Sequence, residues 1–433
     1  MNNENRKLGI LVGGGPAPGI NSVIGTATIR ARLANIDVVG LVDGFRWIMQ
    51  GDISHVVPLT ISETSRIHFR GGSYIGISRT GPSDEASIKL TLDALDRLNI
   101  DKLITIGGDG TAYIAYLLAT ASRGALRVVH VPKTIDNDLA LPNDISSFGF
   151  QTARSIGVEI VKNLMVDAKT TSRWYYVVAQ GRKAGHLALS IGKAAGATLS
   201  VIPEEFQKGA TPLSTIVDTL AGAIIKRRAY GREDGVAMLA EGLAECIDPN
   251  ELSKLVDVPR DKLGNIHVAE VPLGDILRKA VQARLGQFGI KATIVAKQIG
   301  YEVRCADPIP FDMEYTRDLG YCAARYILDG GSNVMVSMQA GSFVPIPFDQ
   351  LIDIKSGRTR VRMVDIESDR YKIARTYMLR LKRGDFEDPS ELAKLAAICG
   401  ITAMQFRHEF GYLGADEYAP MSAKVVAQRG APV

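Results

Sequence analysis

Short, continuous apolar runs rich in Val and Ile recur along this chain, each followed by a loop and then a helical stretch. They are Leu8–Val12, Val38–Val42, Leu103–Ile106, Val128–Val131, Tyr175–Val178, Thr198–Ile202, Val236–Leu239, Ala292–Ala296 and Val334–Ser337. A strand that is apolar at every position must be buried on both faces. Strands of this kind alternating with helices point to mostly parallel sheets covered on both sides. The pattern therefore predicts an α/β fold, and the runs outnumber the strands of one comfortable sheet. Two doubly wound, mostly parallel α/β domains are expected, over residues 1–170 and 171–355. After Ser356 the pattern changes. Arg358–Asp369 is charge-rich, and Arg370–Leu381 and Glu391–Ile398 have amphipathic spacing with no strand between them. Residues 356–433 are thus expected to form a C-terminal helical extension that could pack back on the first domain, with the last dozen residues frayed.

Composition narrows the function classes. The formal net charge of +4 across 433 residues, with 23% charged residues, is weak and evenly spread. It argues against both nucleic acid and anionic membrane as partners. No stretch reaches the ~18 apolar residues of a membrane helix, and the N-terminus lacks a signal-peptide core. The four cysteines, Cys246, Cys305, Cys322 and Cys399, have neither paired spacing nor a histidine cluster. They are expected to be free thiols in a cytoplasmic protein. The 43 glycines are more than usual, and they cluster.

The clusters lie where strands end, which is where ligands bind in parallel α/β sheets. The first is Gly13-Gly14-Gly15-Pro16-Ala17-Pro18-Gly19, before a helix expected over Asn21–Leu33. Glycines there let backbone N–H groups approach phosphate, aided by the positive end of the following helix. A tight turn needing positive φ explains them equally well. The second, Gly107-Gly108-Asp109-Gly110-Thr111, offers a carboxylate for Mg²⁺ and an open backbone for polyphosphate. Asp109 could also be only the N-cap of a Thr111–Ser122 helix. The third, Pro132-Lys133-Thr134-Ile135-Asp136-Asn137-Asp138, places two aspartates two apart on an irregular segment. One could act as a general base while the other faces a metal or orients the first.

Taken together, the three loops resemble those of the 6-phosphofructokinase family in order and approximate spacing. Further segments are similar to that family's: Gly71–Arg79, Gly181-Arg182 with Arg173 upstream, Ala240-Glu241-Gly242, and Gly300-Tyr301-Glu302-Val303-Arg304. The resemblance covers about residues 9–339. It implies Mg²⁺-dependent transfer of a phosphoryl group to the 1-hydroxyl of fructose 6-phosphate, giving the bisphosphate of glycolysis. By this resemblance the first domain binds the phosphoryl donor and the second the sugar phosphate. Asp136 would be the base, and Asp109 would hold the metal with Asp138 nearby. Arg79, Arg182, Thr134, Lys133 and the backbone at Gly14 and Gly15 would face the moving phosphoryl group. Gly108, Gly110 and Thr111 would border the donor. Arg173, Tyr301 and Arg304 would hold the 6-phosphate, with Glu241, Gln180 and Gly181 at the sugar. Arginine suits such roles because its planar fork pairs two phosphate oxygens. The family's shared active sites imply a homodimer or homotetramer.

On the donor, two positions pull apart. Gly110 leaves space for a nucleotide's α-phosphate, as in the ATP-dependent enzymes of the family, whereas Lys133 matches the pyrophosphate-dependent ones. The steric argument at Gly110 is given more weight, because a lysine can swing aside. ATP is therefore the expected donor. The alternative is a pyrophosphate-dependent enzyme, which could also accept sedoheptulose 7-phosphate. Gln180 departs from the methionine usual before Gly181-Arg182, which leaves sugar preference open. A catalytically silent regulatory subunit is a different class of reading, and retention of Asp109, Asp136 and Asp138 argues against it.

Overall fold

The first apolar run becomes strand β1, Lys7–Val12, in a computed structural model that describes residues 6–142, 145–255, 271–353 and 358–414. The expected frayed end lies outside the described residues, as does Ser356 itself, while the charge-rich stretch Arg358–Asp369 lies within them. The chain divides into two units. The first comprises Met1–Ile160, Ala179–Ile191 and Ile299–Asp365; the second comprises Val161–Val178, Gly192–Gln298 and Ile366–Val433.

In the first unit β1 lies between β2 (Val38–Leu41) and β4 (Ile100–Gly107), parallel to both. Strand β5 (Arg127–Thr134) continues the parallel order beyond β4 and is followed by the short strand Val334–Met335. A two-residue strand β6, Phe148–Gly149, runs alongside the end of β5. Both edges of the sheet are antiparallel: β3 (Val56–Leu59) beside β2, and Ile346–Pro347 beside Val334–Met335. The fold is thus α/β with mostly parallel sheets, as expected. The edge strands escaped the sequence pattern for a physical reason. β3 carries Pro58, which an edge strand tolerates but a central one does not, and the other is two residues long.

Burial follows the pleat. Leu8, Ile10 and Val12 pack on one face with Ile20, Val23 and Ile24 of the helix Ile20–Arg32 and Leu319 and Ile327 of the helix Pro310–Leu328. Leu11 faces the other side with Leu95, Leu103 and Leu118. Such two-sided burial is why the run has no polar alternation. Ile10 is fully buried, so Ile10→Ala should lower unfolding free energy by about 2–5 kcal/mol, read as a drop in denaturant midpoint at unchanged m-value.

The second unit carries a four-stranded sheet ordered Ile294–Ile299, Trp174–Ala179, Gly235–Ala240, Leu199–Val201. Trp174, in the second of these strands, is fully buried. The C-terminal helices Asp369–Tyr377, Arg383–Glu387, Pro389–Ile398 and Ala403–Phe410 belong to this unit. Buried and partly buried charge pairs fasten them. Arg380 meets Glu205 and the Ser200 carbonyl, Lys226 meets Asp385 at 2.6 Å, and Arg284 meets both Asp218 and Glu409 at 2.8 Å. Cys246, Cys322 and Cys399 are buried, Cys305 is exposed, and all four are free. Among the described residues no helix is long and apolar enough to cross a membrane.

Candidate active site

Strand ends β1, β4 and β5 converge in the first unit on a cavity of about 280 Å³. Its lining brings together Gly13–Pro16, Ser78 to Thr80, Gly108–Thr111, Lys133–Asp136, Asp138, Gln180 and Arg304. Gly181, Arg182 and Tyr301 belong to the same unit but not to the lining. Arg173 and Glu241 belong to the second unit, where Glu241 is buried just after the strand Gly235–Ala240.

Two glycines are small for packing reasons. A Cβ on Gly13 or Gly107 would come within 2.4 or 2.3 Å of the Thr111 hydroxyl, so both loops close around that buried side chain. Gly14 instead needs its freedom for backbone shape, at φ +84°. Its N–H donates to the Ser78 carbonyl at 2.9 Å, which ties the first loop to the segment carrying Arg79. The helix after the first loop starts at Ile20, past the end of the lining, so its N-terminus does not border the cavity. That position is taken by the helix Asp109–Ala121, whose first-turn residues Asp109, Gly110 and Thr111 do. Asp109 is inside this helix and Gly108 is its N-cap, so the capping explanation of Asp109 does not hold.

The Asp109 carboxylate accepts from the Gly110 N–H at 2.8 Å and from the Lys183 ammonium at 2.7 Å. Burial pushes its pKa up, but Lys183, the Gly110 N–H and Arg182 together hold it below the usual carboxylate value. Asp138 is raised, by burial and by the charge of Asp109. Lys133 is only 3% exposed and donates to the Gly15 carbonyl. Burial pushes it down to about 7; Asp136 opposes the shift, Arg79 and Arg304 add to it, and Asp109 opposes it. The Arg304 guanidinium also lies 4.4 Å from the centre of the exposed Tyr301 ring. Gln180 lines the cavity against Gly300, where a Cβ would strike its side chain at 2.6 Å.

The third loop is held by residues that local sequence did not single out. The Asp136 N–H donates to the Thr134 hydroxyl at 3.0 Å, and that hydroxyl donates to Asp138 at 3.3 Å. Between the aspartates Asn137 sits at φ +58°, a left-handed conformation that costs a non-glycine residue about 1 kcal/mol. Arg362 holds it there. Its guanidinium donates to the Asn137 carbonyl and side-chain oxygen, and to the carbonyls of Leu141, Pro142 and Ile145 at 2.6–3.2 Å. Its N–H donates to the Asp138 carbonyl at 2.9 Å. Ser147 completes the clamp, its hydroxyl donating to the Thr134 carbonyl at 2.8 Å. His130, fully buried, does the same for the second loop. Burial pushes its pKa down to about 3, and its neutral ring donates from Nε2 to the Gly107 carbonyl at 3.0 Å while Nδ1 accepts from Thr105.

Among the described residues no group of three or more His, Cys, Asp or Glu side chains is gathered for a metal ion. Mg²⁺ does not need one. It is commonly held by one or two carboxylates, water and substrate phosphates. Asp109 and Asp138, close enough for one charge to raise the other's pKa, fit that requirement.

The chain is 48% identical over 410 residues to pyrophosphate–fructose 6-phosphate 1-phosphotransferase of Thermotoga maritima, covering 93% of this chain and 98% of that protein. It is 44% identical to the protein of the same name from Naegleria fowleri, covering 94% and 95%. In fold it is similar to the crystal structure of pyrophosphate-dependent phosphofructokinase from Marinobacter aquaeolei, with a TM-score of 0.65 at 17% identity, over 86% of this chain and 90% of that one. The phosphofructokinase family model matches residues 7–327, which span all three loops, and the chain belongs to the phosphofructokinase family.

Proposed function

We propose that the protein transfers a phosphoryl group from pyrophosphate to the 1-hydroxyl of fructose 6-phosphate. The observation that carries the choice of donor is Lys133. Its ammonium lies buried in the donor cavity, against the Gly15 carbonyl and among Asp136, Arg79 and Arg304. A lysine enclosed in this way is not a side chain that swings aside, which weakens the reason for preferring ATP. Gly110 remains compatible with either donor, since a Cβ there would meet nothing within 4 Å. The names of the two relatives at 48% and 44% identity support pyrophosphate, so the expected ATP donor gives way to the alternative.

In this reading Asp136 takes the proton from the sugar hydroxyl as the bond to phosphorus forms. Phosphoryl transfer depends on positioning and charge neutralisation more than on covalent help. Arg79, Arg182, Lys133, Thr134 and the N–H groups of Gly14 and Gly15 supply the positive field around the transferred group. Arg304, which faces the same cavity, holds an acceptor phosphate. Asp109, with Asp138 beside it, would hold Mg²⁺, which would supply neutralisation of pyrophosphate charge.

Lys133 makes this testable by calorimetry. Its folded pKa of about 7 lies below the ordinary 10.5, so at pH 8 it is mostly neutral in the free enzyme. A bound polyanion favours the charged form, so pyrophosphate should bind with proton uptake and more weakly as pH rises above about 7. Titrations at pH 8 in two buffers of different protonation enthalpy should show uptake in the wild type that Lys133→Met loses. Equal uptake in both proteins would remove Lys133 from the donor site.

A further inference from the structure

Lys183 has no role in the fold or in the reaction described so far, yet it makes the shortest contact to the proposed metal carboxylate. It follows a tight turn at Gly181, where φ is +138° and a Cβ would come within 2.7 Å of the Ala184 carbonyl. The turn directs Lys183 across to the end of β4, where its Nζ meets Asp109 Oδ2 at 2.7 Å. The other oxygen, Oδ1, is taken by the Gly110 N–H. The charge of Lys183 also acts on Asp138, so one ammonium serves two carboxylates. Two other cations of the cavity lining make contacts away from Asp109: Lys133 with the Gly15 carbonyl, and Arg304 over the Tyr301 ring. Arg182 acts on Asp109 only through its charge, more weakly than Lys183 does.

We propose that Lys183 is a placeholder for the divalent cation, occupying Asp109 in the ligand-free enzyme so that metal enters only together with the phosphoryl donor. This rests on the reading of Asp109 as the metal carboxylate. A metal ion at a carboxylate oxygen sits about 2 Å away, so an ammonium 2.7 Å from the same atom opposes it by like charge and competes for that oxygen. With Lys183 in place the pair Asp109 and Asp138 carries one net negative charge, a weak attraction for a free divalent ion. Pyrophosphate brings the additional negative charge that lets the metal displace the ammonium, and the flexible four-carbon stem lets Lys183 move without backbone change.

The test is Mn²⁺ binding in the absence of any phosphate, followed by the loss of the free-ion paramagnetic resonance signal. Lys183→Met and Lys183→Gln should bind Mn²⁺ about two- to fivefold more tightly than wild type, the scale of one partly exposed ion pair. Lys183→Arg, which keeps the charge, should bind as weakly as wild type. Adding Asp109→Asn to Lys183→Met should abolish the gain. Unchanged Mn²⁺ affinity in both neutral variants, with thermal unfolding like that of wild type, overturns the placeholder while leaving Asp109 as metal carboxylate. A gain that survives Asp109→Asn places the ion elsewhere and overturns the reading of Asp109 as well.

Discussion

Asp136→Ala is expected to lower kcat by about 10²- to 10⁴-fold, the contribution of a positioned general base. The carboxylate lines the same cavity as Lys133 and Asp109, and its backbone is fixed by the Thr134 hydroxyl. The change removes a side chain from the cavity wall rather than from a core cluster, so far-UV circular dichroism and unfolding midpoint should stay close to wild type. KM for both substrates should move far less than kcat, because the proton is transferred only in the transition state. Near-normal turnover in this variant would refute the role of Asp136 as base.

Arg362→Ala should be the next most damaging change, although Arg362 touches no proposed substrate position. It holds Asn137 in its left-handed conformation and anchors the carbonyls of Leu141, Pro142 and Ile145. Released from that clamp, Asn137 can relax, and Asp136 beside it moves. A displacement of about 1 Å in a catalytic group costs on the order of 10²-fold in rate. Arg362→Lys offers one point charge in place of a five-donor fork and should recover only part of the loss. A double variant separates positioning from general damage. If Arg362 acts through Asp136, then Arg362→Ala adds little in the Asp136→Ala background. Multiplicative losses would mean that Arg362 acts through something else.

The contrast between these two residues shows what this sequence exposes and what it hides. Asp136 was legible because its signal is local: a strand end, two aspartates, and glycine-rich strand ends before it. The sheet was legible on the same ground, since a doubly buried parallel strand such as β1 must be apolar at every position. Arg362 carries no local signal. Its main-chain partner at Asn137 lies 225 residues away, in a stretch that looks merely charge-rich. Lys183 was hidden in the same way, because its meaning comes from Asp109, 74 residues earlier. The glycine loops fall between these cases. Their place at the cavity was legible, but Gly13 and Gly107 are small because they enclose Thr111, a packing requirement that composition cannot distinguish from phosphate binding. The donor is less legible, because two single-position rules pull apart and neither gives a view of its side chain's surroundings. Space around Gly110 excludes neither donor, whereas Lys133 is buried and has a defined partner.

The central claim is that this cavity uses pyrophosphate as its phosphoryl donor. The direct measurement is initial rate with purified protein and Mg²⁺ at fixed, saturating fructose 6-phosphate, comparing pyrophosphate with ATP over matched concentrations. The account predicts fructose 1,6-bisphosphate formation from pyrophosphate at a kcat/KM at least about 10²-fold above that for ATP, a difference of about 2.7 kcal/mol in transition-state binding. Turnover with ATP and none with pyrophosphate would contradict it.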